Sequence, residues 1–275
     1  MGETADKIEF SKIPFPSAIG NAGFREAYTV HLADNCLIMG HRLSEWTGHG
    51  PMLEQDIAIS NIALDLIGQA RNFYQYAAEL INSVNKSERK ISEDDLAYFR
   101  DAGEFKNLLL TELPNGDWAK TIGKIFFFST CQFYFYMELI GSHDKQLSAI
   151  AEKSLKEVTY HVNWSSEWVI RLGDGTGESK MRMQAAIEDL WPYTGEMFIP
   201  GNFELDPENH ICINVIDIKK NWMEKVKSVL DEAILTLPTD TWFHNGGKKG
   251  VHTEHLGYIL AEMQFIQRSY PGLEW

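Results

Sequence analysis

The stretch from Glu152 to Phe198 constrains the fold most, because it has the pattern of a long helix, a glycine-rich turn and a second helix. In its first half, apolar side chains recur at helical spacing, at Leu155, Val158, Val162, Val169 and Leu172. The glycines from Gly173 to Gly177 interrupt the pattern, and Met181, Met183, Ile187, Leu190 and Trp191 resume it. A chain with helices of this length must bury their apolar stripes against other helices.

Two polar residues of the first helix, Glu157 and His161, lie close to a metal-binding pattern without matching it. In helical-bundle di-iron proteins, a Glu-x-x-His motif places a carboxylate and an imidazole three residues apart and aims both into the core. Glu157 and His161 are four residues apart, and the residue three before His161 is Val158. An aliphatic side chain therefore occupies the position of the carboxylate and cannot ligate a metal.

The composition excludes several classes of function. A chain of 275 residues with 44% hydrophobic residues can build one large core without disulfides. Its net charge of -14 gives no electrostatic basis for binding nucleic acid or an anionic membrane. The three cysteines form no C-x-x-C pair, as is usual for reduced cytosolic thiols, and no signal peptide or membrane-spanning run is visible. We expect a cytoplasmic protein whose partners are proteins or small molecules.

Helical periodicity covers most of the chain. Long helices are predicted over Phe24–Trp46, Met52–Asn82, Trp118–Ile140, Lys145–Leu172 and Glu178–Met197, and shorter ones over Ser92–Phe99, Phe105–Leu113, Ile218–Leu235 and Leu256–Arg268. Residues 1–23 have the composition of an irregular N-terminal arm, and Pro200–Val215 that of an irregular excursion. The predicted class is all-α: a four-helix bundle with one long crossover and additional C-terminal helices, in a single domain over residues 24–275.

Two glycine- or histidine-containing motifs are open to a functional and a structural interpretation. The series Gly173, Gly175 and Gly177 could cradle a phosphate, but no strand precedes it, which favours helix capping. The cluster His252, Glu254 and His255 could contribute to a metal site, but a capping Thr253 explains it without one, and we favour the cap.

Two further polar groups leave the same choice open. The basic loop Gly246–Gly250, with Lys248 and Lys249, could bind an acidic partner or a ligand phosphate, or it could be a flexible exposed turn. The second predicted helix carries polar residues on an otherwise apolar segment, at Asp56, Asn61, Asp65, Gln69 and Asn72. They could line a former cofactor site, and we favour a polar network in the core.

Several long motifs in one order give the chain a resemblance to a known family. They are LADNCL from Leu32, RLSEW from Arg42, NIALDLIGQARNF from Asn61, LPNGDWA from Leu113, KEVTYH from Lys156, LGDGT from Leu172, LWPYTGEMF from Leu190 and GGKKGVHTEHLGYILAEMQF from Gly246. With them the chain resembles the C-type structural subunits of bacterial phenylacetyl-CoA 1,2-epoxidases, the multicomponent oxygenases of aerobic phenylacetate degradation. The resemblance covers residues 27–275 and leaves the N-terminal arm without a counterpart.

The resemblance implies a ferritin-like bundle paired with a homologous catalytic subunit, whose two Glu-x-x-His motifs hold a di-iron centre. Laid over that pattern, the first motif of this chain has Leu66 for the Glu and Gln69 for the His. The second has Val158 for the Glu and retains only His161. The resemblance therefore implies no metal, no cofactor and no catalytic residue in this chain, with the di-iron centre in the partner subunit.

The resemblance also suggests where the substrate would lie. It implies that the chain helps to form the cleft for the CoA thioester, with Glu104, Phe105, Lys106 and Asn107 as a contact segment. In an acidic protein, the phosphates of CoA need local cations, which points to Lys106, Lys248 and Lys249.

Two hypotheses from different classes follow. The first is a non-catalytic scaffold subunit of the epoxidase, and the second is a metal-dependent ferritin-like oxidoreductase that uses an unorthodox ligand set such as Asp65, Glu157 and His161. The missing Glu residues favour the scaffold. The third long helix carries rings on nearly every side, at Phe126, Phe127, Phe128, Phe133, Tyr134, Phe135 and Tyr136. They predict a stable heterodimer with the catalytic subunit through the second or third long helix, and self-association of the chain alone.

Overall fold

The computed structural model describes residues 21–84, 89–205, 211–270 and 273. The helices are α1 (Asn21–Ser44), α2 (Leu53–Val84), α3 (Glu93–Tyr98), α4 (Leu109–Glu112), α5 (Trp118–Leu139), α6 (Lys145–Gly173), α7 (Gly177–Leu190), α8 (Val215–Glu232), α9 (Glu254–Met263) and α10 (Phe265–Ser269). Short 3₁₀ turns lie at Ala102–Glu104, Trp191–Tyr193, Gly195–Phe198, Asn202–Glu204 and Gly247–Lys249. Within these ranges no strand occurs, and the all-α prediction is confirmed.

Two hairpins of long helices form the bundle. The first hairpin packs α1 against α2, the second packs α5 against α6, and the two hairpins meet through α2 and α6. The segment between α2 and α5 is the predicted long crossover. The additional helices α7 and α8 both pack on the second hairpin, so that α5 is covered from several directions.

Polar caps fix where the helices begin. Asp117 accepts a hydrogen bond from Lys120 N at the start of α5, and Asp144 accepts from two backbone amides at the start of α6. Ser92 and Asp95 form a reciprocal capping box at α3, at the predicted start of that helix. At the end of α6, a Cβ on Gly173 would lie 2.4 Å from Ala233 O, so close packing requires this glycine.

Five of the seven rings of α5 are buried inside this chain, so most of them are not available to a partner. Phe126, Phe127, Phe128, Phe135 and Tyr136 are buried, and only Phe133 and Tyr134 are half-buried. The reason is the wrapping by α7 and α8. Trp191 and Trp222 pack on Phe127, and Trp222 Nε1 donates a hydrogen bond to Phe127 O.

Three predicted boundaries also need correction. Residues 21–23 belong to α1 and not to the N-terminal arm, and residues 1–20 lie outside the described residues. Helix α7 ends at Leu190, seven residues early, where Pro192 enters a 3₁₀ turn. The helix predicted over Phe105–Leu113 is only the short α4, because Phe105 and Leu108 are extended.

Candidate functional site

The four positions that a di-iron pattern would use lie in the core at the contact of α2 and α6. Leu66 and Gln69 come from α2, Val158 and His161 come from α6, and each is at most 1% exposed. The helical repeat alone explains this placement, because residues three apart share one face of a helix. The four positions that the resemblance singled out therefore lie together in one part of the core.

Two polar pairs join α2 to α6 at this level. His161 Nε2 lies 2.9 Å from Asp65 Oδ2, and Gln69 Nε2 donates to Glu157 Oε2 over 2.9 Å. Asp65 and Glu157 are both partly open to solvent. Each pair thus connects a buried side chain to a carboxylate at the edge of the core.

Gln69 extends this arrangement to the other two long helices. Its Oε1 accepts from the Tyr136 hydroxyl of α5 over 3.1 Å and from the Cys36 thiol of α1 over 3.8 Å. Gln132 Nε2 donates to Cys36 Sγ and to the Tyr136 hydroxyl. Burial raises the pKa of the Cys36 thiol to about 12 and the pKa of Tyr136 above its ordinary value, so both groups stay protonated and can donate. We call Cys36, Gln69, Gln132, Tyr136 and Glu157 the core network.

The prediction of a polar network on α2 is therefore right for Gln69, and Asp65 takes part in the neighbouring pair with His161. The other three residues have different surroundings. Asp56 accepts from Gly48 N and Gly50 N, which closes the turn between α1 and α2. Asn61 is exposed and Asn72 is half-buried. Charge pattern on one helix could not show which residues pair across the bundle.

The alternative ligand set of Asp65, Glu157 and His161 is divided between the two pairs. Asp65 faces His161, whereas the carboxylate of Glu157 is held by the Gln69 amide. Among the residues that the structure describes, no group of three or more His, Cys, Asp and Glu side chains could hold a metal ion. The donor set also does not fit a di-iron centre, because two of its four motif positions are the aliphatic Leu66 and Val158.

A second candidate site is a cavity of about 340 Å³ beside the first turns of α1. It is lined by Gly23, Phe24, Ala27, Lys106, Glu196, Ile199, Pro200, Gly201, Asn202, Phe203, Asn245, Gly246, Lys248 and Lys249. The three lysines predicted to contact the substrate therefore converge on one surface. Lys106 is half-buried, and this desolvation lowers the pKa of its ammonium group.

Lys248 speaks against one of the two interpretations of the basic loop, that of a flexible exposed turn. It is 7% exposed, and its Nζ donates to Glu204 Oε2 over 2.7 Å and to Ile199 O over 2.9 Å. The backbone amides of Gly246 and Gly247 donate to Glu196 Oε1, so a carboxylate of this chain engages the amides that a ligand phosphate would need. Lys249 alone in the loop presents an exposed cation.

The contact segment Glu104–Asn107 is held by buried side chains along its backbone. Asp34 Oδ2 accepts from Lys106 N over 2.8 Å, His31 Nδ1 donates to Lys106 O over 2.6 Å, and His252 Nε2 lies 2.9 Å from Phe105 O. These bonds replace helical ones, which explains why the segment is extended.

The side chains of this segment point to different places. Phe105 is fully buried beneath the Arg100 guanidinium, and the Asn107 amide is buried and donates to Glu112 Oε2. Glu104 Oε2 accepts from Asp101 N. Of the four predicted contact residues, only Lys106 lines the cavity, so Phe105 and Asn107 are reassigned to the interior.

The histidine cluster before α9 is a capping arrangement, as the structural interpretation predicts. Thr253 Oγ1 accepts from His255 N, while His252 Nδ1 lies 2.9 Å from Glu112 Oε2. Glu112, Glu196 and Glu204, which organise this region, were not singled out in the sequence. Glu112 and Glu196 carry a weak signal, because each is an isolated carboxylate among apolar residues, whereas Glu204 lies close to Asp206 and Glu208 and carries none.

No helix in the described ranges is long and apolar enough to cross a membrane.

Comparisons with known proteins place this geometry in a family context. The sequence pattern of the family described as "Phenylacetic acid catabolic protein" matches residues 24–275. A relative from Escherichia coli (strain K12), named as the C-type subunit of 1,2-phenylacetyl-CoA epoxidase, is 45% identical over 250 residues, which cover 90% of this chain and 98% of the relative.

Proposed function

The chain belongs to the phenylacetic acid catabolic protein family, and from this premise we propose that it is the non-catalytic structural subunit of a phenylacetyl-CoA 1,2-epoxidase in phenylacetate degradation. Its relative is named as one subunit of such an epoxidase, so the function of this chain depends on other subunits. In this role the chain supports the catalytic subunit and contributes to the site of the CoA thioester.

One observation carries the non-catalytic assignment. The four positions that a di-iron motif would use hold Leu66, Gln69, Val158 and His161, and the polar members are engaged within the protein. Gln69 joins all four long helices through hydrogen bonds, which stabilises the core without a metal. We propose that the di-iron centre belongs to a homologous partner subunit with intact Glu-x-x-His motifs.

An exposed apolar face of α2 supports a partner on this side of the bundle. Leu53, Ile57 and Leu64 are 71%, 52% and 66% exposed, and at 3.6 residues per turn they fall within about 40° of one another. Gly68 lies near the same line, and a Cβ there would meet no atom within 4 Å. A mid-helix glycine costs about 0.5–1 kcal/mol relative to alanine, and close approach of a second helix offsets that cost. We call Leu53, Ile57, Leu64 and Gly68 the α2 face, and we propose that it contacts the catalytic subunit.

The cavity beside α1 supports a role in thioester binding. Lys106 and Lys249 line a surface that also includes the apolar side chains of Ile199 and Phe203. A CoA thioester combines phosphates with an apolar acyl group, which is the combination that such a wall can accept. Lys248 is buried behind this surface and helps to hold it in place through its ion pair with Glu204.

Coexpression with the catalytic subunit tests the proposal. We expect the two chains to copurify and to elute together in size-exclusion chromatography at micromolar concentration, and we expect the isolated chain to self-associate through the α2 face. Leu64→Glu should weaken the heterodimer without unfolding the chain, because Leu64 is exposed. Met181→Glu is the matched control, because Met181 is equally exposed on α7. A chain that stays monomeric and does not bind the catalytic subunit would contradict the proposal. If Leu64→Glu and Met181→Glu weakened the heterodimer equally, the α2 face would not be the interface.

A further inference from the structure

The cavity of about 340 Å³ lies where the described chain begins. Gly23, Phe24 and Ala27, from the first turns of α1, form one wall. Ile199, Pro200 and Phe203 lie on another wall, and Ile199 is 45% exposed. Residue 20 is therefore only three residues from the cavity rim.

The cavity combines an apolar wall with cations that lack a carboxylate partner. Among the described residues, Lys106 and Lys249 take part in no ion pair, whereas the neighbouring Lys248 is paired with Glu204. Lys106 Nζ donates to the backbone oxygen of Gly103, and among the described residues no carboxylate lies within ion-pair distance of it. An occupant that carries apolar side chains next to an acidic one would complement this surface.

Residues 1–20 have this composition and are tethered at the rim. Their sequence, MGETADKIEFSKIPFPSAIG, contains Ile8, Phe10, Ile13 and Phe15, with Glu9 between the first two of these and Lys12 three residues after it. A covalent tether raises the effective concentration of a segment to the millimolar range when the linker can span the distance. From Phe15 to Gly20 the chain can reach up to about 3.5 Å per residue, which is enough to return to the mouth of the cavity.

We propose that this cavity binds the chain's own segment Ile8–Phe15, with Phe10 against the apolar wall and Glu9 facing Lys249. A bound segment excludes an anionic thioester from the same surface, so the arm and the CoA ligand compete. The competition rests on the proposed function, whereas the docking of the arm does not.

Photo-crosslinking in the full-length chain tests the docking. We would replace Phe10 by benzoylphenylalanine, irradiate the protein and identify the linked peptides by mass spectrometry. The expected links are intramolecular and reach the peptides that contain Phe24–Ala27 or Ile199–Phe203. The same probe at the exposed Met181 on α7 is the control and should give none of these links. Links to other peptides only, or only between two chains, would overturn the docking.

A charge exchange tests the contact with Glu9. Because Lys249 is exposed, Lys249→Glu leaves the fold intact and should reduce the crosslink yield several-fold. Adding Glu9→Lys to the same chain should restore the yield. An unchanged yield in Lys249→Glu, or no recovery in the double variant, would contradict this orientation.

Titration with phenylacetyl-CoA separates the two claims. If the ligand shares the cavity, it should remove the crosslink, and calorimetry should show tighter binding after Phe10→Ser. If the ligand binds and the crosslink persists, the competition and the proposed thioester site are wrong, and the docking stands. If the probe never reaches the cavity, the docking is wrong whatever the ligand does.

Discussion

Gln69 Nε2 donates a hydrogen bond to Glu157 Oε2 over 2.9 Å, at the position where a di-iron motif would place a histidine ligand. The amide oxygen of the same side chain accepts from Tyr136 and Cys36. One side chain thereby uses both ends of its amide to connect the four long helices. At the position of a metal ligand in the di-iron pattern, this chain therefore has a side chain that hydrogen-bonds to the neighbouring helices.

Removing the Gln69 amide should destabilise the bundle. Gln69→Leu removes the oxygen that accepts from the Tyr136 hydroxyl and the amide that donates to the Glu157 carboxylate. A neutral hydrogen bond contributes about 0.5–1.5 kcal/mol and one to a charged group about 1.5–3 kcal/mol. We expect a loss of about 2–4 kcal/mol in the free energy of unfolding, measured with urea. Gln146→Leu is the control, because Gln146 is exposed, and it should change stability by less than about 0.5 kcal/mol. Equal stability of the two variants would show that the core network contributes nothing.

Restoring a carboxylate at Val158 should destabilise the chain rather than create a metal site. Val158 is fully buried, so Val158→Glu places an acid in the core without a cation and raises its pKa. The native state then holds a proton that the unfolded state releases, so the stability of the variant relative to wild type should fall as pH rises above about 4.3.

The free energy of unfolding of Val158→Glu and of wild type should be measured at pH 4.5 and at pH 7.5. We expect the variant to be less stable than wild type by several kcal/mol at pH 7.5 and by less at pH 4.5. Thr159→Glu is the neighbouring control, because Thr159 is exposed. A Val158→Glu variant that melts at the wild-type temperature would mean that this position does not face a dry core.

Lys124 predicts a pH dependence in the opposite direction. Its Nζ is fully buried and donates to Leu113 O and Asn115 Oδ1, and burial lowers the pKa of this group to about 7. Between pH 7 and about 10.5 the unfolded state therefore binds more protons than the native state. Wild type should gain stability relative to Lys124→Met as pH rises through this window, and the difference should be constant below it. Urea unfolding of both proteins at pH 6.5, 8 and 9.5 measures the change, and a pH-independent difference would contradict it.

The three lysines of the cavity should differ in role: Lys106 and Lys249 should affect ligand binding, and Lys248 should affect stability. Lys106→Ala and Lys249→Ala should weaken binding of phenylacetyl-CoA to the two-subunit complex and reduce its salt dependence, because each removes a cation from the cavity wall. Calorimetry at two salt concentrations measures both effects. Unchanged affinity in both variants would remove these lysines from the site.

Replacing Lys248 should change stability rather than ligand binding alone, because it removes the ion-pair partner of the buried carboxylate of Glu204. Breaking one side of such a pair costs about 3–5 kcal/mol, so Lys248→Met should be strongly destabilised. Adding Glu204→Gln removes the unpaired charge and should recover part of the loss. If Lys248→Met were as stable as wild type but defective in binding, Lys248 would be a ligand contact and not a support.

The sequence was sufficient where local rules decide the structure. Helical periodicity located the four long helices within a few residues, and the observed caps at Ser92 and Asp117 lie at the predicted starts of α3 and α5. The spacing around His161 also indicated that Val158 stands in place of a carboxylate, and both residues are buried. These features depend on residues that are near one another in the chain.

The rest depends on packing between distant segments. No local pattern shows that Trp222 of α8 covers Phe127, and this contact makes the Phe127 ring part of the core of this chain. The burial of Lys248 required Glu204, which lies 44 residues earlier. The partners of Gln69 lie on three other helices, so its role became visible only in the folded chain.

The most direct test of the central claim is the metal content of the purified full-length chain. The protein should be expressed with iron and manganese in the medium, dialysed and measured by inductively coupled plasma mass spectrometry, with the catalytic subunit treated identically as the positive control. Because Leu66 and Val158 cannot ligate a metal and Gln69 is engaged with Glu157, we expect far less than one metal ion per chain. One or more ions retained per chain after dialysis would contradict the non-catalytic assignment.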